Sequence, residues 1–249
     1  MREYGLIGYP LSHSFSQKYF TEKFLKEGID DAVFHAFSIP SINNLPTVLS
    51  THPLLVGFCI TIPYKKEVMP FLTEMSTAVQ KMGACNCVKI DGKKLIGYNT
   101  DVLGFEISFV QHLQKHHTKA LILGTGGAAA AVEYTLQKLG IDYLFVSRAA
   151  NPAQNTVGYG DLDNNLMNEY TVIINCTPLG TYPNVDGVPD LPYKLLTPRH
   201  YLFDLVYNPP LTKFLQLGQA QGATIQNGSE MLVIQAEENW KIWNGLFVY

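Results

Sequence analysis

Short apolar runs alternate along the chain with stretches whose apolar residues recur every three or four positions. Tyr4 to Gly8, Ala32 to Ile39 and Leu54 to Ile62 have strand length and strand composition. Ser16 to Glu27 instead puts Tyr19, Phe20, Phe24 and Leu25 on one helical stripe, and Ile42 to Ser50 also reads as helix. Cys85 to Ile90 and Leu95 to Tyr98 flank Asp91-Gly92, a two-residue turn signal that predicts a hairpin. The second half repeats the alternation, with strands predicted at Ala120 to Leu123, Tyr143 to Ser147, Val172 to Asn175 and Tyr201 to Leu205. Ala149 to Asn168 is polar and Asn-rich, and reads as loop with one short element. From Ser229 the pattern is helical again, through Met231, Leu232, Ile234, Gln235, Glu238 and Ile242. Strands and helices in alternation predict an α/β fold, a parallel or mixed sheet covered by helices.

One turn in this pattern carries chemistry. Leu121-Ile122-Leu123 reads as a short buried strand, Gly124, Gly126 and Ala129 follow at G-x-G-x-x-A spacing, and Ala128 to Leu139 reads as a helix. That order supplies a tight turn, a backbone bare enough to approach a pyrophosphate, and free N–H groups at a helix N-terminus. Glycines also cluster at ordinary strand–helix turns, so the motif alone does not decide the matter. Because 120 residues precede it, a substrate-binding part is expected first. The helix from Ser229 is expected to return to that part. The expected domains are 1–101 plus 229–249 for substrate and 102–228 for a dinucleotide, with a cleft between them.

Composition narrows the partners. The 249 residues are 47% hydrophobic, enough for a sizeable core, and 18 basic against 21 acidic residues leave a net charge of −3 with no basic cluster, which argues against nucleic acid. No apolar run approaches the roughly 20 residues of a membrane span, and the stretch at the N-terminus is too short for a signal peptide. Cys59, Cys85, Cys87 and Cys176 show no C-x-x-C spacing and read as free thiols of a reducing cytoplasm. His116-His117 reads as a solvated helix end, and no metal site is expected.

Several polar residues fall at predicted element ends. Lys65, in ITIPYKKEV, follows a strand and is expected to start a helix; it is either solvated or able to exchange a proton. Asp101 ends GYNTD before a helix, as an N-cap or as the partner that orients such a lysine. Ser12, Ser14 and Ser16 are expected to put hydroxyls before a helix, an arrangement that suits an anion such as a carboxylate; N-capping explains one of them but not three. Asn86 is polar at an apolar strand edge and needs a partner, either substrate or backbone. After Phe145-Val146 comes Ser147-Arg148, with no acid to take a ribose 2′-hydroxyl. Arg148 either accepts a 2′-phosphate or is an ordinary surface arginine.

Taken in order, GYPLSHSFS, ITIPYK, GACNCV, GYNTD, GTGGAAAA, SRAA, NCTPLG, DLVYNP and GSEMLVIQA resemble the shikimate dehydrogenase family across essentially the whole chain. The resemblance implies an N-terminal α/β substrate domain, a Rossmann-like dinucleotide-binding domain, and NADP as cofactor. It implies reversible reduction of 3-dehydroshikimate to shikimate by a cytoplasmic monomer or homodimer. By the same resemblance Ser14 and Ser16 would hold the substrate carboxylate with Tyr207 close by, and Thr61, Asn86 and Gln235 would bind ring hydroxyls. Lys65 and Asp101 would be the catalytic pair. Gly124, Gly126, Gly127 and Ala128 would carry the pyrophosphate, Ser147 and Arg148 the adenosine end, and Thr177 and Gly228 would be further cofactor contacts. Gln17, Cys59, Ser147 and Ala149 depart from the family's usual proline, asparagine, asparagine and hydroxyl residue. A quinate/shikimate dehydrogenase with relaxed cofactor use and a non-catalytic metabolite-binding relative stay open as alternatives.

Overall fold

Residues 1–11 and 15–246 are described by a computed structural model. They form two compact units, Met1–Thr100 with Gln235–Tyr249, and Asp101–Ile234.

The first unit contains β1 (Arg2–Gly8), α1 (Phe15–Glu27), β2 (Ala32–Ser38), α2 (Leu45–Thr51), β3 (Leu55–Ile60), β4 (Glu74–Met75), α3 (Thr77–Met82), β5 (Cys87–Asp91) and β6 (Lys94–Tyr98). Its sheet runs β2-β1-β3-β5-β6-β4, with β1 parallel to both β2 and β3 and with β5 antiparallel to β3 and β6. Strand residues alternate between two cores, as a sheet covered on both faces requires. Ile7, Phe58, Ile60 and Val88 pack with Leu45, Val48 and Val79 of α2 and α3. Tyr4, Leu6, Cys59 and Cys87 face Phe20 and Phe24 of α1.

The second unit contains α4 (Asp101–Val110), β7 (Lys119–Leu123), α5 (Gly127–Leu139), β8 (Asp142–Ser147), β9 (Thr156–Gly158), α6 (Asn164–Glu169), β10 (Val172–Asn175), β11 (Tyr201–Asp204), α7 (Lys213–Ala220) and β12 (Thr224–Asn227). All six strands are parallel in the order β12-β11-β10-β7-β8-β9. The chain starts in the middle at β7, builds outward to β9, then returns to β10 and builds the other way, which is the doubly wound dinucleotide-binding arrangement. Ala120, Ile122, Val172, Ile174, Tyr201 and Phe203 face α4 and α5, while Leu121, Leu123, Ile173 and Leu202 face Met167 and Phe214 of α6 and α7. α8 (Ser229–Trp243) closes the chain: Met231 packs in the second unit, and Ala236, Ile242 and Trp243 belong to the core of the first. Among the described residues no helix is long and apolar enough to cross a membrane.

The segment expected to be loop with one element is richer than that. It holds 3-10 turns at Pro152–Gln154 and Tyr159–Asp161, the edge strand β9, and α6, capped by Asp163 whose carboxylate accepts from the Leu166 N–H at 2.9 Å. A three-residue strand is too short for hydrophobic periodicity to register. β12, TIQN, is a half-buried edge strand with little apolar signal of its own.

Candidate functional site

In the second unit the chain leaves the carboxyl ends of neighbouring β7 and β10 in opposite directions, and ligands bind open α/β sheets at such a switch point. Gly124 follows β7 with φ 92°, a conformation that favours glycine, and a Cβ there would stand 3.0 Å from the Thr177 methyl, just after β10. Gly126 caps α5 without a side-chain bond, and a Cβ at Gly126 or Gly127 would meet nothing within 4 Å. The cradle is therefore bare and faces the N–H groups of a 13-residue helix, which fits a pyrophosphate. Ala128 lies in the first turn of α5, half-buried.

Thr177 is held from behind by a buried polar chain. Its N–H and Oγ1 donate to Asn175 Oδ1 at 3.0 and 2.6 Å, and Asn175 Nδ2 donates to Asp204 Oδ1 at 2.9 Å. Asp204 also accepts from the Val206 N–H at 3.0 Å and the Thr212 hydroxyl at 2.5 Å. Burial pushes its carboxyl up to about 6, although all three of these bonds favour the charged form. Asn175 and Asp204 are register partners that end two adjacent apolar strands, VIIN and YLFD. A polar residue closing each of two buried strands was the signal available in the sequence.

At the end of β8 the Ser147 hydroxyl donates to the Ala149 carbonyl at 2.6 Å, and Arg148 is exposed beside it. Tyr207 follows β11 and is 38% exposed, and burial raises its phenol above the ordinary value. Gly228 has a packing reason of its own, since a Cβ there would lie 2.3 Å from the Leu205 carbonyl oxygen.

The first unit gathers its polar residues at one edge of its sheet. β1 and β3 are adjacent and parallel, and the loops after them are bonded, Thr61 N–H to the Ile7 carbonyl at 2.9 Å and Tyr9 N–H to the Ile62 carbonyl at 3.1 Å. The antiparallel β5 and β6 bring Asn86 and Thr100 to this edge, since Cys59 pairs with Cys87 and Cys87 with Tyr98. Thr61 is half-buried. Lys65, also half-buried, is not at the start of an α-helix. It lies in consecutive turns that lead into a 3-10 turn at Met69–Phe71. Pro70 is the reason, because its ring would clash with the Lys66 carbonyl in an α-helix. The Lys65 carbonyl accepts from the Cys85 N–H at 2.8 Å, tying this turn to GACNCV.

Asn86 is buried, and its partner within the protein is Thr100. Its Oδ1 accepts from the Thr100 N–H at 2.7 Å, and its Nδ2 donates to the Thr100 hydroxyl at 3.1 Å. That hydroxyl donates to Asn239 Oδ1 at 2.7 Å, and Asn239 Nδ2 reaches Gln235 Oε1 at 3.3 Å and Cys59 Sγ at 3.2 Å. Asn86, Gln235 and Cys59 thus meet in one network, together with Thr100 and Asn239, which sequence reasoning missed. Asn239 was findable, for it follows Gln235 by four positions on the same helix face. Asp101 directly follows Thr100, is 8% exposed and opens α4. Ser16 is the second residue of α1; Ser12 and Ser14 lie outside the described residues.

Another cluster has metal-ligand chemistry that spacing did not reveal. Donor atoms of Glu3, His35 and His52 lie within 4.8 Å of one another. Glu3 Oε2 is 2.7 Å from His52 Nδ1 and 3.5 Å from His35 Nε2. Two ligands of a tetrahedral zinc stand about 3.3 Å apart, so the shorter contact is a hydrogen bond between His52 Nδ1 and the Glu3 carboxylate. The cluster draws on Glu3 at the amino end of β1, away from the edge that holds Asn86.

A family model described as shikimate dehydrogenase substrate binding domain matches residues 6–88. The shikimate dehydrogenase (NADP(+)) of Methanococcus aeolicus is 36% identical over 256 residues, covering 97% of this chain and 91% of its own. The shikimate 5-dehydrogenase of Thermus thermophilus, solved with NADP(H) and shikimate, aligns with a TM-score of 0.85 at 27% identity, covering 100% of this chain and 95% of its own. The quinate dehydrogenase of Corynebacterium glutamicum, solved with NAD, aligns with a TM-score of 0.86 at 25% identity, covering 98% and 94%.

Proposed function

The chain belongs to the shikimate dehydrogenase family, and we propose that it catalyses the reversible NADPH-dependent reduction of 3-dehydroshikimate to shikimate in the cytoplasm. One observation carries this reading: a bare glycine cradle and a polar substrate edge occur in the same chain, each at the point where its own sheet reverses direction. NADPH, when bound, supplies the hydride to ring carbon 3. The Lys65 ammonium polarises the carbonyl and gives its proton to the oxygen, and in the oxidative direction the amine takes the hydroxyl proton. Asp101 orients Lys65. Asn86, Gln235 and Thr61 hold ring hydroxyls, Ser14 and Ser16 with Tyr207 the carboxylate. Gly124, Gly126, Gly127 and Ala128 receive the pyrophosphate, with Thr177 and Gly228 as further cofactor contacts. Arg148 with Ser147 takes the 2′-phosphate through charge-assisted hydrogen bonds.

The test follows NADPH oxidation with 3-dehydroshikimate in the wild type and in Lys65→Met. Turnover is expected to fall by roughly 10²–10⁴-fold, the range for loss of general acid–base catalysis, with KM for substrate changed only a few-fold. Near-normal turnover in Lys65→Met would remove this residue from the chemistry, and an inactive wild type would end the reading. A second reading, quinate as an additional substrate with relaxed cofactor use, draws on Cys59 and on the absence of a further basic residue just after Arg148. Initial rates with both acids and both cofactors separate the two.

A further inference from the structure

Asn239 is fully buried in the first unit, and its hydrogen bonds have a direction. Both of its amide hydrogens point at acceptors, Gln235 Oε1 at 3.3 Å and Cys59 Sγ at 3.2 Å, while its Oδ1 accepts the Thr100 hydroxyl at 2.7 Å. Sulfur is a weak acceptor, so the strong partners are Thr100 and Gln235. The sense of the Gln235 amide follows. It turns its oxygen to Asn239 and therefore its Nε2 to the other side. The Asn86 amide is fixed by the Thr100 backbone N–H, which holds its Oδ1 at 2.7 Å and leaves its Nδ2 to the Thr100 hydroxyl at 3.1 Å; that hydroxyl lies 2.7 Å from Asn239 Oδ1 and 3.3 Å from Asn86 Oδ1. Reversing either amide would set N–H against N–H or oxygen against oxygen, and burial leaves no water to absorb the mismatch.

A ring bearing several hydroxyls is recognised by amides whose donor and acceptor ends are each fixed. We propose that Asn239 is a positioning residue that sets the donor and acceptor sense of Gln235 toward a polyhydroxylated substrate. This rests on the preceding reading that Gln235 binds a ring hydroxyl. It also bears on position 59. Cys59 and Asn239 side chains touch, so the amide that orients this part of the site comes from α8 and not from β3.

The experiment uses the full-length enzyme and compares wild type, Asn239→Leu, Gln235→Ala and the pair Gln235→Ala/Asn239→Leu. Leucine keeps the volume and removes the hydrogen bonds. KM for shikimate is expected to rise roughly tenfold or more, the effect of one lost directional contact to a bound ligand. Turnover should stay within a few-fold and the NADPH dissociation constant unchanged. With Gln235 already removed, Asn239→Leu should add little, because neighbours in one network are not additive. In Cys59→Asn/Asn239→Ala an amide at position 59 ends where the Asn239 amide was, and is expected to recover much of the KM lost in Asn239→Ala. Should Asn239→Leu not fold, Asn239→Ala and this pair carry the same comparison. A purely structural role predicts a lower melting temperature with KM unmoved, equal penalties with and without Gln235, and no rescue; any of these overturns the proposal while leaving an active wild type intact. A wild type without shikimate activity overturns the functional reading and this proposal with it.

Discussion

Asp204 and Arg148 occupy equivalent places, the ends of parallel strands in the second unit, and differ in everything that burial controls. Arg148 is exposed. Asp204 is fully buried with a carboxyl raised to about 6, so it contributes to stability through protons. In the unfolded chain that carboxyl titrates near 3.8. Between these values the folded state binds more protons than the unfolded one, so stability is fully present below the lower value and is lost as pH rises to about 6. Asp204→Asn keeps Oδ1 for Asn175 and Val206 and offers an N–H to Thr212. It is expected to abolish this slope, about 3 kcal/mol across the window from 3.8 to about 6 at roughly 1.4 kcal/mol per pKa unit. Urea unfolding of both proteins at several pH values checks it; parallel wild-type and variant curves would remove Asp204 as the source.

At the scale of elements, α8 supplies core residues to the first unit. Trp243 is 2% exposed, packs its ring 5.2 Å from Tyr4 and 5.3 Å from Phe20, and donates its indole N–H to the Val88 carbonyl at 3.0 Å. On the other flank Glu237 accepts from Lys23 at 2.9 Å and from the Tyr19 hydroxyl, both on α1. Trp243→Ala should cost roughly 3–5 kcal/mol through the cavity it leaves. Trp243→Phe should cost only about 1–2 kcal/mol, mainly for the unpaired carbonyl. Chemical denaturation ranks the two, and equal losses would mean that the hydrogen bond, not the volume, dominates. The aromatic stripe of α1 was legible because Phe20 and Phe24 repeat at helical spacing. The turns around Lys65 were not, because a strand followed by Tyr-Lys-Lys-Glu-Val looks helical until Pro70 is weighed against the Lys66 carbonyl.

For the molecule as a whole, the first unit is assembled from both ends of the chain, whereas Asp101–Ile234 is continuous and holds a complete six-stranded parallel sheet. A chain stopped at residue 234 would lose Ala236, Ile242 and Trp243 and uncover Tyr4, Phe20, Phe24 and Phe34. It is expected to bind a hydrophobic dye and lose shikimate binding while NADPH binding survives. Calorimetry with ligand titrations tests this, and unaltered cooperative unfolding would refute it. Local pattern by itself determined the α/β alternation, the hairpin at Asp91-Gly92 and the glycine turn, because each rests on spacing within a few residues. Motif order along the chain pointed to the family. Tertiary structure alone decided which polar residues meet: Asn86 with Thr100, Asn239 with Cys59, Asn175 with Asp204, and Glu3 with two histidines. Those pairings join residues up to 180 positions apart, and no local period encodes which strand end will lie beside which helix face once both are buried.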